Sequence, residues 1–230
     1  MAVSSVAGGL FTQNPLMKGR HAPDLSAPFA LSQDDRQVLS MRGMSEGQQD
    51  AVSSLYAKAH SAVQGGQGRG FLASLDTQSL ALLQQAASLA APVNVSTLTE
   101  EGAENLLLAP TEAVDLNGDG MIQVGAALTS SFPPVNASPE LRAAWEKTAS
   151  GMNEKDALTL SFKLSGVSTS LEGGSVKGQD FSGDFDWNGY VQKLIASNDM
   201  SKPYNSPEQY QKVSDQLLSF WAALKEQGLA

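Results

Sequence analysis

Asp115-Leu116-Asn117-Gly118-Asp119-Gly120-Met121-Ile122-Gln123-Val124-Gly125-Ala126 decides how the middle of this chain folds. Three oxygen-bearing side chains, Asp115, Asn117 and Asp119, alternate with other residues, and a glycine follows at 120. Alternate residues of a turning loop point inward, so the three present oxygens to one point. Gly120 supplies a backbone angle that other residues avoid. Hard oxygen donors arranged this way suit a hard cation. The twelfth residue is Ala126, which has no oxygen to give. The stretch reads either as a helix–loop–helix around an ion, or as a turn in which Asp and Asn bond their own backbone.

The pattern recurs at Asp184-Phe185-Asp186-Trp187-Asn188-Gly189-Tyr190-Val191-Gln192. Both stretches read D-x-[DN]-x-[DN]-G-[MY]-[IV]-Q. In these two segments, of about twelve residues each, the chain resembles the EF-hand family, including its shorter dockerin-like relatives. The resemblance implies calcium as the ligand. It implies side-chain ligands Asp115, Asn117 and Asp119 in the first loop and Asp184, Asp186 and Asn188 in the second. Main-chain carbonyls of Met121 and Tyr190 would add to these, and Gln123 or Gln192 would ligate or hold a water. Ile122 and Val191 would join the loops through a short strand contact. Position twelve is Ala126 in one and Ile195 in the other, where the family has a carboxylate. Each site then lacks one or two of the six to eight oxygens calcium takes, and the expected dissociation constant is roughly 10⁻⁴ to 10⁻³ M. Pro110 interrupts the helix expected before the first loop, and LEGGSVKGQDFSG precedes the second with no helix pattern.

The 230 residues are 41% apolar, enough for a core without staples, and contain no cysteine. Disulfides, thiolate zinc sites and a cysteine nucleophile are therefore excluded. Net charge is −9, unevenly placed. From Phe71 to Leu141 there is no Lys or Arg, while Asp76, Glu100, Glu101, Glu104, Glu112, Asp115, Asp119 and Glu140 give that segment −8. Such a surface repels phosphate backbones and attracts cations, which argues against nucleic acid. No run approaches a membrane span. MAVSSVAGGLF lacks the basic and long apolar regions of a signal peptide, so the cytoplasm is the default expectation, with signal-less export as the other.

Helix signals fill most of the rest. Residues 1–30, with scattered Gly and Pro and no period, read as an extended, mobile arm. A helical domain over 31–230 follows, with a flexible GGQGRG at 65–70 as a possible subdivision. Ser32 opens a short helix through about Met41. Ser45 and Gln48 form a capping box for a helix lined by Val52, Leu55, Tyr56, Ala59 and Val63. A helix from Leu72 or Asp76 runs to Ala90, and Thr97 with Glu100 caps another ending near Leu108. Gln123 to Thr129 reads as a brief exit helix. Ser138-Pro139 and Ser206-Pro207 are serine caps with proline at the first helical position. Leu158, Leu160, Phe162 and Leu164 alternate as a strand would, but the Asn153 cap favours a helix. The expected fold is all-α: a multi-helix bundle with EF-hand-like helix–loop–helix units and a mobile N-terminal arm.

For catalysis the sequence offers little. Its two histidines, His21 and His60, fall in the arm and on a helix, and no nucleophile elbow, phosphate loop or H-E-x-x-H motif occurs. Asp180, Asp184 and Asp186 lie among Phe181, Phe185, Trp187 and Tyr190, a composition that suits sugar binding or glycoside hydrolysis, or else marks aromatic core anchors around a turn. The reading is a non-enzymatic, calcium-binding helical protein with a possible protein partner. The alternatives are a glycan-binding or glycan-hydrolysing protein and a metal-free helical interaction module.

Overall fold

The structure, a computed structural model, describes residues 14–169, 176–181 and 185–230. Helices dominate it, and most begin where a short polar side chain meets the backbone. α1 (Gln33–Met41) starts at Ser32, α2 (Glu46–Gln64) at Ser45, α4 (Thr77–Ala86) at Asp76 and α5 (Glu100–Leu106) at Thr99. α6 (Pro139–Ala149), α7 (Glu154–Leu164), α8 (Trp187–Ser201) and α9 (Pro207–Glu226) start at Ser138, Asn153, Asp186 and Ser206. Each cap accepts a hydrogen bond from a backbone N–H otherwise left without a partner in the first turn. α3 (Gly68–Ala73) has no such side-chain cap and forms inside the expected GGQGRG break.

Several expectations need correcting. Gln123 to Thr129 is not an exit helix. β1 (Met121–Val124) and β2 (Ala127–Ser130) pair antiparallel, with Val124 opposite Ala127. The two-residue turn Gly125-Ala126 has Gly125 at φ 58°, which a tight hairpin requires and a helix forbids. Thr99, not Thr97, caps α5, since Thr97 belongs to a 3₁₀ turn, Val95–Thr97. A helix, α8, begins inside the second loop pattern. A second short pair, β3 (Ser168–Thr169) with β4 (Val176–Lys177), completes the described elements.

Apolar faces gather into two clusters. The first joins α1 to α5 and β1 through Leu39, Val52, Tyr56, Leu72, Leu83, Leu106 and Ile122. It spans both sides of 65–70, so that stretch separates no core. The second joins α6 to α9 through Trp145, Leu160, Leu164, Trp187, Phe220 and Leu224. On α9, Leu217, Phe220 and Leu224 are buried, while Val213 and Trp221 are partly buried against the same cluster.

Residues 14–30 are a strap rather than a loose arm; 1–13 lie outside the described residues. Met17 is buried in the second cluster, while Leu25, Phe29 and Leu31 pack on the first. Trp145 Nε1 donates to Met17 O at 2.8 Å. His21 N–H donates to Thr111 O at 3.0 Å, and Ala113 N–H to His21 O at 2.9 Å. Strap pairing of this kind depends on main-chain bonds, which is why its side-chain pattern shows no period.

Asp35 anchors this corner. Its Oδ2 accepts from Ser32 N–H and Oγ–H, and its Oδ1 from Thr111 N–H and Oγ1–H, with the side chain buried. Four donors satisfy a carboxylate that water cannot reach. Asp35→Ala should cost about 2–4 kcal/mol in chemical denaturation, since it removes the reciprocal half of the α1 capping box and strands the two buried donors of Thr111. A cost under about 0.5 kcal/mol would contradict this role.

Candidate functional site

α5 is the template on which the first loop is laid. Its Glu101 and Asn105, one turn apart, face the loop together. Glu101 Oε2 accepts from Leu116 N–H at 3.0 Å and Oε1 from Gln123 N–H at 2.7 Å. Asn105 Oδ1 accepts from Val114 N–H at 2.8 Å, and its amide donates to Val114 O and Gln123 O. Two side chains thus hold the approach to the loop and its exit side by side. Gly125 N–H donates to Gly102 O at 2.8 Å. A Cβ on Gly102 would collide with Gly125 O, so only glycine lets the hairpin lie this close to the helix.

Within the loop, side chains at odd positions organise the backbone. Asp115 accepts from Gly118 N–H at 2.8 Å and Gly120 N–H at 3.0 Å. Asn117 Oδ1 accepts from Asp119 N–H, and Asp119 Oδ1 from Met121 N–H. Gly118 and Gly120 take φ of 67° and 74°. Asp115, Asn117 and Asp119 thus bond the backbone of their near neighbours, as the turn reading of the stretch expects. Asn117 Nδ2 donates to Asp119 Oδ2 at 3.1 Å. Met121 follows in β1. Gln123 is turned elsewhere: Thr99 Oγ1–H donates to its Oε1 at 2.7 Å. Ala126 lies exposed in the hairpin turn.

The charge here is one-sided. Burial pushes the Glu101 pKa up, and Asp115 and Asp119 push the same way, against the N–H groups of Gln123 and Leu116. Among the described residues no three His, Cys, Asp or Glu side chains converge as a metal cage. An ion held here would need the Asn117 amide oxygen and a main-chain carbonyl beside the two loop carboxylates, a donor set that fits calcium chemistry.

The second pattern takes another shape. Asp184 lies outside the described residues. Asp186 caps α8, accepting from Gly189 N–H at 2.8 Å. Asn188 and Tyr190 are already helical, and Gly189 is not among the glycines at positive φ. Asn188 Oδ1 accepts from Trp221 Nε1–H at 2.9 Å, and Tyr190 OH donates to Leu164 O at 2.9 Å. Burial pushes the Tyr190 pKa up to about 12. These side chains fasten α8 to α9 and α7 and do not share a ring. The reason is competition: Asp two residues before Asn-Gly is also a helix N-cap, and Trp187 and Val191 draw the following turn into the second core. Val191 is buried there and makes no strand contact with Ile122, which lies in the first core.

The aromatic rings of this region face one another. Phe181 stacks on Trp187 at 4.9 Å and 15°, and Phe132, Phe185 and Tyr190 meet them edge-on. Trp187 is buried, so it offers no open platform for a sugar.

What the sequence alone does not show is the joint above the first loop. Gly178 N–H donates to Asp119 O at 3.1 Å. A Cβ on Gly120 would meet Gln179 O, and one on Gly178 would lie 2.6 Å from Gly120 O. Loop and segment 178–181 approach backbone to backbone. The GSVKGQD run carries the glycine, but its partner 58 positions away leaves no local signal. Gly178→Ala should therefore destabilise by about 1–3 kcal/mol in urea melts, because rigid backbone cannot yield. Gly47→Ala, in the first turn of α2 with open space around it, should instead be neutral or stabilising by up to about 1 kcal/mol. Equal effects would refute the close contact. Compared with known proteins, the chain matches no family model, no curated protein and no solved structure.

Proposed function

We propose that this is a calcium-binding helical protein in which the loop Asp115–Met121 holds one ion structurally. The observation that carries the reading is the set of backbone hydrogen bonds to Asp115, Asn117 and Asp119 in a loop whose two ends are already clamped by Glu101 and Asn105. Asp115, Asp119 and Asn117 would supply side-chain oxygens, and Met121 its carbonyl. Glu101 is a positioning residue. It ties the loop's second residue to its ninth, and so closes the loop from a preceding helix where position twelve has no carboxylate. The second stretch, around Asp186 and Asn188, is not part of the proposed site.

Binding would be weak and stabilising rather than switch-like. Position twelve is the ligand that couples an ion to an exit helix, and here a hairpin follows instead. A cation would also offset the repulsion among Glu101, Asp115 and Asp119. Protein partner contacts are a separate matter: Leu158 and Phe162 sit side by side on the exposed face of α7 and are the plainest apolar patch for one.

Calorimetry of chelator-stripped protein should show saturable calcium heat with a dissociation constant of about 10⁻⁴ to 10⁻³ M, and little with magnesium. Asp115→Ala should abolish it. At calcium about twenty times that constant, the melting free energy should rise by about 2 kcal/mol. Absence of heat to several times that range would defeat the proposal.

The pH dependence has a definite sign. The folded pKa of Glu101 is raised, so its contribution is full below the unfolded value of roughly 4.3 and is lost as pH rises through the folded one. In chelator, the stability of the wild type relative to Glu101→Gln should increase as pH falls from neutral towards the unfolded value of roughly 4.3. Calcium should flatten that difference. A difference that does not vary with pH would contradict the charge environment described for Glu101.

A further inference from the structure

Between the two cores lies a cleft of about 620 Å³, walled by the strap, the start of α1, Thr111, Glu112 and α6. Ligand pockets commonly measure about 300–1,000 Å³ and favour the seam between packed units. The polar groups of this cleft sort into two kinds. Each of its donor side chains has at least one acceptor within the protein. Lys18 pairs with Asp34 at 2.6 Å. The hydroxyls of Ser32 and Thr111 donate to Asp35, Trp145 Nε1 donates to Met17 O, and Arg142 Nη2 donates to the carbonyls of Arg20, Pro134 and Val135.

What remains open is a set of acceptors. Glu112 takes one long bond, 3.3 Å from Ala109 N–H. Glu146 is exposed on α6, with no side-chain bond among the described residues. His21 Nδ1 lies 2.9 Å from Thr111 O, which can only accept. Nδ1–H therefore donates there, and in the tautomer that this bond selects Nε2 is the ring's acceptor. No three acidic or imidazole groups among the described residues converge on one metal ion, and the space is many times an ion's size.

We propose that this cleft binds a small organic cation with at least two N–H donor ends, a diamine or guanidino compound, through Glu112, Glu146 and His21 Nε2. The inference is independent of the calcium site. Burial pushes the Glu112 pKa up, against the Ala109 N–H, and Asp35 pushes the same way as burial. A bound cation offsets that desolvation, and the net charge of −9 concentrates cations near the protein.

The test is calorimetry of the full chain in chelator with putrescine and agmatine, using butanol and succinate as controls. Saturable heat from both amines and none from the controls is expected. Glu112→Gln should weaken binding by about tenfold or more, and the exposed Glu146→Gln by about two- to fivefold. Glu146→Gln should not shift the melting temperature, so it decides the matter even if Glu112→Gln folds poorly. No saturable amine heat, equal heat from a control, or binding indifferent to Glu146→Gln would overturn the proposal. Calcium titrated into chelator-free aliquots of the same protein keeps its failure separate from failure of the calcium reading.

Discussion

The buried carboxylate of Glu101 constrains the middle of this protein. It lies on a short helix with both oxygens engaged by backbone N–H groups on opposite ends of one loop. Removing such a group from water is costly unless its oxygens are satisfied. The donors that satisfy it, Leu116 and Gln123, are the residues whose separation defines the loop. Asn105, one turn on, repeats the arrangement with an amide. The loop is therefore closed before any ligand arrives, and closed from outside itself. This explains how a stretch ending in Ala126 keeps a closed loop in which Asp115, Asn117 and Asp119 bond local backbone N–H groups.

The same loop is where the two cores meet. Odd positions turn inward to bond the loop's own backbone. Gly120, an even position, is pressed against Gln179, and the Asp119 carbonyl is bonded by Gly178. Segment 178–181 leads to Phe181, which stacks on Trp187 in the second core. On the other side, β1 places Ile122 and Val124 in the first core. The strap adds a second connection, through Met17 and His21. Tight backbone contact at this joint and unbalanced negative charge within the loop occur within a few residues of each other. Charge neutralisation in the loop would thus act on the part of the molecule that joins its halves.

Local chemistry made much of this legible in the sequence. Ser32, Ser45, Ser138, Asn153 and Ser206 all cap helices, as their spacing to the following residues implies. The face of α2 and the buried positions of α9 follow the period of 3.6 residues. That Asp115, Asn117 and Asp119 bond nearby backbone was likewise readable, because such turns are local. The misses share a different cause. Gln123–Thr129 has the composition of a helix turn, yet Gly125 at positive φ and the contact with Gly102 favour a hairpin. Asp186-Trp187-Asn188-Gly189 spells the loop pattern and a helix cap equally well, and the second core chose the cap. Glu101 as the loop's clamp and Gly178 as its cover are contacts distant in sequence, with no periodic signature. Neither the strap nor the cleft around Glu112 could be read from residues 14–30, where His21 pairs through its main chain with Thr111 and Ala113.

The central claim, that α5 holds the loop formed and an ion then completes it, is tested most directly by amide hydrogen exchange. In chelator, the amides of Leu116 and Gln123 should exchange slowly, because each is bonded to Glu101. Calcium should add protection at Gly118, Gly120 and Met121 and leave those two little changed. Fast exchange at Leu116 and Gln123 without calcium would contradict the preformed clamp. Unchanged exchange at Gly118, Gly120 and Met121 in saturating calcium would contradict the ion.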